Sequence, residues 1–497
     1  MIPFSYKFIT HGLAALSSGL VLGVSTFHTF SPSDRLAAQD LPPAPILEFC
    51  QISPAASKLK EQKRLEGDTT AYQNLVRQHR AEMQACRRQN HFKTQAIWLR
   101  LYPCDLQAGR LDQVMDRIVN RGYNQVYIEV FYDGMVLLPQ AENSSPWRSV
   151  LNHPSQAQTD LLAIALHKAR ERGMLASAWL YTLNFGYGYG IRSDRADSLA
   201  QNGKGETTLM AEEEASKQPE FEIFHGGQAF VDPYDSQARQ DLAEILTAIL
   251  RRRPDGVLFD YVRYKRGRGG DSIASNVKQL WIYGKASQQA LLDRATNELG
   301  TELLKIFLQN GQVTNSQFNQ LNKQFPKQAN PLWQGQQAKT ITFANLNTEL
   351  WALVVLHAYT GVVDFLAAAS AIVDQTPTGA VFFPEGDQVI RSGFDSRLQD
   401  WSKFTMIQQW HPMAYALCDN PDCVVAQIQR VLHSKPDQIQ VIPALAGYWG
   451  RAEAKRPSLE QQMQAIAQDL PEIDQISHFA FSWQETELER SRQVCKL

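Results

Sequence analysis

Most familiar reaction signatures are missing from this 497-residue sequence. No Gly-x-Ser-x-Gly occurs, so a serine nucleophile on a sharp strand-to-helix turn has no candidate. There is no His-x-His, which removes the opening ligands of metal-dependent hydrolase barrels. A Gly-x-Gly-x-x-Gly turn after a first strand is absent, and Gly186-Tyr187-Gly188-Tyr189-Gly190 reads instead as a flexible aromatic loop. Charge of one sign is lacking too: 49 Lys and Arg oppose 51 Asp and Glu, for a formal net charge of −2. No global basic field therefore draws in nucleic acid. No motif demands a cofactor or a metal. What remains is an ordinary globular balance, 44% apolar and 20% charged, which argues against wholesale disorder.

Cysteine is sparse, at six residues. No Cys-x-x-Cys with partner histidines appears, so disulfides are favoured over zinc. Cys418 and Cys423 flank a turn and can bridge locally. Cys50 and Cys86 flank a charged helical stretch, and Cys104 and Cys495 remain for each other if the first strand meets the last helix; six cysteines still allow fifteen pairings. At the N-terminus, Lys7 precedes a short apolar stretch from Gly12 to Val24, then Ser/Thr/Pro-rich sequence. That order suits a secretory signal within residues 1–38, cut near Ser25 or Ala38, or else an uncleaved membrane anchor. The expected location is periplasmic, cell-envelope or extracellular. The apolar helix around Trp351–Ile372 is broken by His357, Thr360 and Asp364, against a membrane span.

Residues 39–93 read as a Pro-rich lead into a charged helical hairpin with a thin apolar stripe. From Thr94 onward, short apolar runs alternate with helical periodicity. The runs are 96–102, 124–130, 174–181, 256–262, 379–383, 404–410, 438–444 and 477–483. Gly122 and Gly173 stand where helix C-caps belong, and Asp160 and Ser458 where N-caps belong. Eight such units predict an α/β chain of the (β/α)₈ TIM-barrel class over 94–497, with an open doubly wound sheet as the alternative. A polar, helical insertion at 265–345 separates strands four and five, as a lid, a side domain or a peripheral decoration. Its opening Lys265-Arg266-Gly267-Arg268 can contact anions or simply form a loop.

In such a barrel the chemistry sits at the C-terminal strand ends. Those ends supply Tyr102, Glu129, Tyr132, Trp179, Tyr181, Asn184, Asp260, Arg263 and Tyr264 from the first four units. The later units supply Glu385, Trp410, His411, Tyr415, Tyr448, Trp449 and Trp483. Flat aromatic faces stack on sugar C–H surfaces, and carboxylates bond hydroxyls or move protons. A single rim aromatic is commonly packing, and a lone acid commonly a cap; convergence on many strand ends raises the sugar-site reading. Asp260 stands out because a carboxylate in the run Val257–Val262 is costly to bury without purpose or partner. Arg263 is the structural partner it would have otherwise. Glycoside hydrolysis usually takes two carboxyls, about 5 Å apart for retention and about 6.5–9.5 Å for inversion. Strands lie about 4.8 Å apart, so Glu385 on the next exit loop is the expected proton donor, with Asp260 as nucleophile or base. Glu129, two strands away, suits hydroxyl binding.

Several blocks resemble glycoside-hydrolase-like family 10. Ala96-Ile97-Trp98-Leu99 is similar to its first strand, and Gly122-Tyr123-Asn124-Gln125-Val126 to its Gly-Phe-Asn-x-Val. Arg172-Gly173, followed by Ala178-Trp179-Leu180, resembles its third strand. Asp255-Gly256-Val257-Leu258-Phe259-Asp260-Tyr261 resembles its Asp-Gly-Ile-His-Phe-Asp-Asp block, the most specific part. His411-Pro412-Met413-Ala414-Tyr415 and Gly447-Tyr448-Trp449 are similar to its late strands. The resemblance spans about 94–490 and implies a TIM barrel that hydrolyses cell-envelope or extracellular glycans, with Asp260 at the first Asp of the family's pair. Tyr261 replaces the second Asp, and Leu258 replaces the His. The expected partner is a polysaccharide; the other functions in view are a barrel that binds glycans without cleaving them and an anchored structural envelope protein.

Overall fold

The computed structural model describes residues 48–132, 134–216, 227–328, 330–391 and 393–495. The expected signal or anchor at 1–38 lies outside the described residues. Eight strands pair side by side, all in parallel, and the last returns to the first: β1 (Thr94–Leu99), β2 (Gln125–Tyr132), β3 (Leu175–Tyr181), β4 (Val257–Asp260), β5 (Thr378–Phe382), β6 (Gln409–Ala414), β7 (Ala444–Ala446) and β8 (Gln475–Phe479). Closure comes from β1, which pairs with both β2 and β8. This is a closed (β/α)₈ barrel, not an open sheet.

Two helices precede it, α1 (Pro54–Leu65) and α2 (Thr69–Gln89), the second started by Asp68 accepting from the Ala71 N–H at 3.1 Å. Crossover helices α3 (Arg110–Asn120), α4 (Leu161–Glu171) and α5 (Ser236–Leu250) join the first four strands. Asp160 and Asp235 cap α4 and α5 by accepting from Ala163 and Ala238. After α3, Gly122 takes φ +94°, and a Cβ there would lie 2.1 Å from the Cys50 carbonyl oxygen, so only glycine fits. The long connection from β4 to β5 holds α6 (Lys285–Leu292), α7 (Glu298–Asn310) and α8 (Asn315–Gln324) before α9 (Phe343–Val373). By length and apolar composition α9 could cross a membrane, but it buries one side here, with Phe365 under the Arg239 guanidinium of α5. Helices α10 (Asp422–His433), α11 (Leu459–Asp469) and α12 (Thr486–Gln493) complete the ring.

The strand limits shift from the sequence expectation, by up to three residues in the first five strands and more consequentially in the last three. The sixth strand is Gln409–Ala414, not 404–410. Phe404 and Ile407 are apolar because they are buried in the preceding turn, where the Phe404 carbonyl accepts the Trp410 indole N–H at 2.9 Å. The seventh is split at Pro443, which has no N–H for the ladder, into Gln440–Val441 and Ala444–Ala446. The eighth ends at Phe479, and Phe481–Gln484 is a helical turn.

Three disulfides close: Cys50–Cys86, Cys104–Cys495 and Cys418–Cys423. The second ties the exit of β1 to the end of α12. Beside it Arg492, fully buried, grips Asp105 with two bonds of 2.7 Å and Glu489 with one of 2.6 Å.

Candidate active site at the barrel mouth

Alternation along the strands decides what enters the barrel. Trp98 points inward, where its indole N–H donates to Ser477 Oγ at 3.1 Å and its ring meets Tyr127 and Trp179 edge-on. Gln125 reaches Ser177 from the same side. His411 also points inward, facing Tyr127 at 5.6 Å between ring centres. Gly379 leaves room for it, since a Cβ there would lie 2.7 Å from His411 Nε2. This filled interior is the floor. Above it, at the C-terminal ends, lie Glu129, Trp179, Tyr181, Asp260, Tyr415 and Phe479.

Asp260 ends β4 beside Tyr181, its register partner on β3. Its Oδ2 accepts the Trp179 indole N–H at 3.1 Å, and its Oδ1 accepts the Tyr261 backbone N–H at 2.6 Å. Burial nevertheless raises its pKa from the ordinary aspartate value, against those two donors and the attraction of Arg263. Asp260 keeps part of its surface exposed. Arg263 does not clamp it: the guanidinium lies over the Tyr261 ring at 4.6 Å and donates to the Tyr264 carbonyl at 3.0 Å. Tyr261 adopts φ +52°, a left-handed conformation unfavourable for a bulky side chain. Such strain concentrates at functional sites. The Tyr261 ring lies 4.3 Å from that of Tyr181.

On the far side of Tyr181 stands Glu129, almost fully buried, held by Arg100 through Nε at 2.6 Å and Nη2 at 3.2 Å. A bulge follows Glu129 in β2. Burial first, then Glu129, Tyr261 and Asp260, hold the Tyr181 phenol well above its ordinary pKa, so Tyr181 stays a neutral hydroxyl between two acids. Tyr415 is raised in the same way, by burial and by Asp260. An aromatic arc runs on from there: Tyr415 to Phe479 at 5.9 Å, Phe479 to Trp483 at 6.1 Å, and Trp483 stacked on Tyr448 at 5.5 Å.

Thus Trp179, Tyr181, Arg263, Tyr415, Tyr448 and Trp483 of the expected set gather with Asp260 and Glu129 at one mouth. Others do not. Trp410 points outward between Phe382 and Trp401, and lies inside its strand because β6 starts later than expected. Trp449 also points outward, donating to Tyr123 Oη at 2.9 Å and meeting Phe49. His411 is fully buried in the floor, and burial lowers its pKa to about 3. Tyr102 donates to Glu489 at 2.7 Å, and Tyr132 to the Leu101 carbonyl at 2.9 Å beneath Arg100. Asn184 caps its own turn by accepting from Gly186, and Tyr264 is fully buried. Glu385 turns toward α10, where it accepts a hydrogen bond from Gln427, while neighbouring Asp387 pairs with Arg430 at 2.6 Å. Arg100, Tyr261 and Phe479 are additions. The inward parity of Trp98 and Ser477 signals Arg100 and Phe479; the backbone of Tyr261 has no sequence signature. Among the described residues no cluster of three His, Cys, Asp or Glu could hold a metal ion.

No family model matches the chain, and no curated protein matches it. Among solved structures it is similar to the PgaB (BpsB) glycoside hydrolase domain from Bordetella bronchiseptica, at 13% identity over 81% of this chain and 99% of that one, TM-score 0.47. It is also similar to a GH18 chitinase from Pseudoalteromonas aurantia, at 10% identity over 80% and 98%, TM-score 0.33. An α-galactosidase from Thermus thermophilus matches at 9% identity over 80% and 60%, TM-score 0.35. The barrel assignment rests on strand pairing within this chain, independently of these likenesses.

Proposed function

We propose that this chain is an exported glycoside hydrolase that cleaves a cell-envelope or extracellular polysaccharide, with Asp260 as the carboxyl acting at the glycosidic bond. The observation that carries the reading is the Asp260 carboxyl itself: partly accessible, raised in pKa by burial, and ringed by Trp179, Tyr181, Tyr261 and Tyr415. A carboxyl whose pKa burial raises holds its proton more firmly than a solvated one, so it can donate that proton to a leaving oxygen and return as base. Of the other acids, Glu129 is buried within the barrel and paired with Arg100, whereas Glu385, the donor expected from strand order, turns away to Gln427 on α10. Glu129, in register with Trp179 and so on the inward face of β2, is the second carboxylate of this reading. Three disulfides support an oxidising compartment.

The test is to incubate the protein with peptidoglycan strands and exopolysaccharides and to assay new reducing ends. Release that vanishes in Asp260→Asn supports hydrolysis. One observation favours a second reading, a barrel that binds glycan without cleaving it: Arg100 already neutralises Glu129. Retention of glycan with no release from any polymer would establish that reading.

A further inference from the structure

Beside the mouth, the loops after β3 and β4 and the start of the long insertion enclose a cavity of about 530 Å³. Its walls carry five cations, Lys204, Lys265, Arg266, Arg268 and Lys278. Three acids face them, and each already accepts hydrogen bonds. Glu212 pairs with Lys265 at 2.8 Å and accepts the Gly227 and Gln228 backbone N–H groups. Glu206 accepts from Asn202 at 2.8 Å. The third, Asp271, accepts from Gln279. Lys204, Arg266 and Lys278 have no carboxylate partner among the described residues, and the first two are exposed. Trp281, half-buried, also lines the cavity and offers an aromatic face.

The cavity is joined to the catalytic mouth. Lys265 follows Asp260 at a chain distance that spans at most about 18 Å. A strut also links them: Gln228 donates to Tyr261 Oη at 3.4 Å, Thr208 donates to the Gln228 carbonyl at 2.9 Å, and Lys265 donates to the Thr208 carbonyl at 3.0 Å. A sugar chain leaving Asp260 in this direction meets a cationic trough with one stacking ring. Neutral glycans offer these cations only hydroxyl acceptors, whereas sugar carboxylates also complement their charge.

We infer that this trough is a binding subsite for acidic sugars, so that the substrate class is a carboxylate-bearing, uronate-type polysaccharide. The inference relies on the hydrolase reading for the role of Asp260, but the binding can be measured without catalysis. Affinity electrophoresis through gels holding polygalacturonate, alginate, dextran or duplex DNA is the experiment. Polygalacturonate or alginate is expected to retard the parent and Asp260→Asn equally. The exposed pair Lys204→Glu and Arg266→Glu should bind at least tenfold more weakly at unchanged melting temperature, and Trp281→Ala several-fold more weakly. Equal retardation by dextran or DNA, no retardation by either polyuronate, or full retardation of the charge-reversed variant overturns the inference. Should reducing ends appear only from neutral glycans, at a rate the charge reversal leaves untouched, the acidic subsite falls and the hydrolase stands. Polyuronate retardation without release from any polymer leaves the subsite standing and removes the hydrolase.

Discussion

Trp179 reaches across one strand gap and donates its indole N–H to Asp260 at 3.1 Å, fixing one carboxyl oxygen while the Tyr261 N–H fixes the other. The aromatic wall and the acid are thus one unit. Because the donor favours the ionised carboxyl, its removal must push the Asp260 pKa further up. Trp179→Phe keeps a ring against Trp98 and Phe479. A hydrogen bond to a charged group is worth about 1.5–3 kcal/mol, so the Asp260 ionisation should rise by about one pH unit or more. Carbon-13 NMR titration of labelled aspartate reads this directly, and an unmoved midpoint contradicts the arrangement.

Acid should weaken the fold for a separate reason. Burial holds His357, His411 and His478 neutral, each lowered to about 3. Unfolded, they bind protons near pH 6.5, so the unfolded state gains protons that the fold refuses. Their contribution to stability is full above about pH 6.5 and falls toward pH 3, by about 1.4 kcal/mol per pH unit for each histidine. Melting temperature against pH checks it: His411→Gln should shallow the slope between pH 6 and 4.

The barrel's last joint rests on Arg492 and Asp105, neither exposed to solvent. Arg492→Met strands the Asp105 carboxylate in the interior, and breaking a buried pair costs about 3–5 kcal/mol. Urea unfolding should show that loss. The Arg492→Met, Asp105→Leu double variant should be less destabilised than the single one.

The disulfides differ in the loops they close. Cys104–Cys495 has a sequence separation of 391 and Cys418–Cys423 one of 5. Loop entropy assigns about 6 kcal/mol to the first and about 2 kcal/mol to the second. Paired serine variants should reproduce that order in chemical unfolding, with the long link the more costly to lose.

The eight strands were legible because a parallel barrel buries both strand faces, so Ile97, Val126 and Phe259 read as apolar runs. The same rule misled at Phe404–Ile407, a buried turn as apolar as a strand. Asp260 was legible because a carboxylate in such a run is conspicuous. Side-chain direction was less so: Trp410 and Trp449 lie on outward positions, which only a correct strand phase separates from His411 and Tyr448. Glu385 was placed by sequence proximity to β5, and the pull of Gln427 on α10 has no local signal. The φ of +52° at Tyr261 is a product of closure, invisible in composition.

The most direct test is the yield of new reducing ends from acidic and neutral exopolysaccharides with the parent and Asp260→Asn at equal folded concentration. Steady release by the parent, lost in the variant by a factor of at least a thousand, is the predicted result. Equal release by both proteins would contradict a reactive carboxyl at the end of β4.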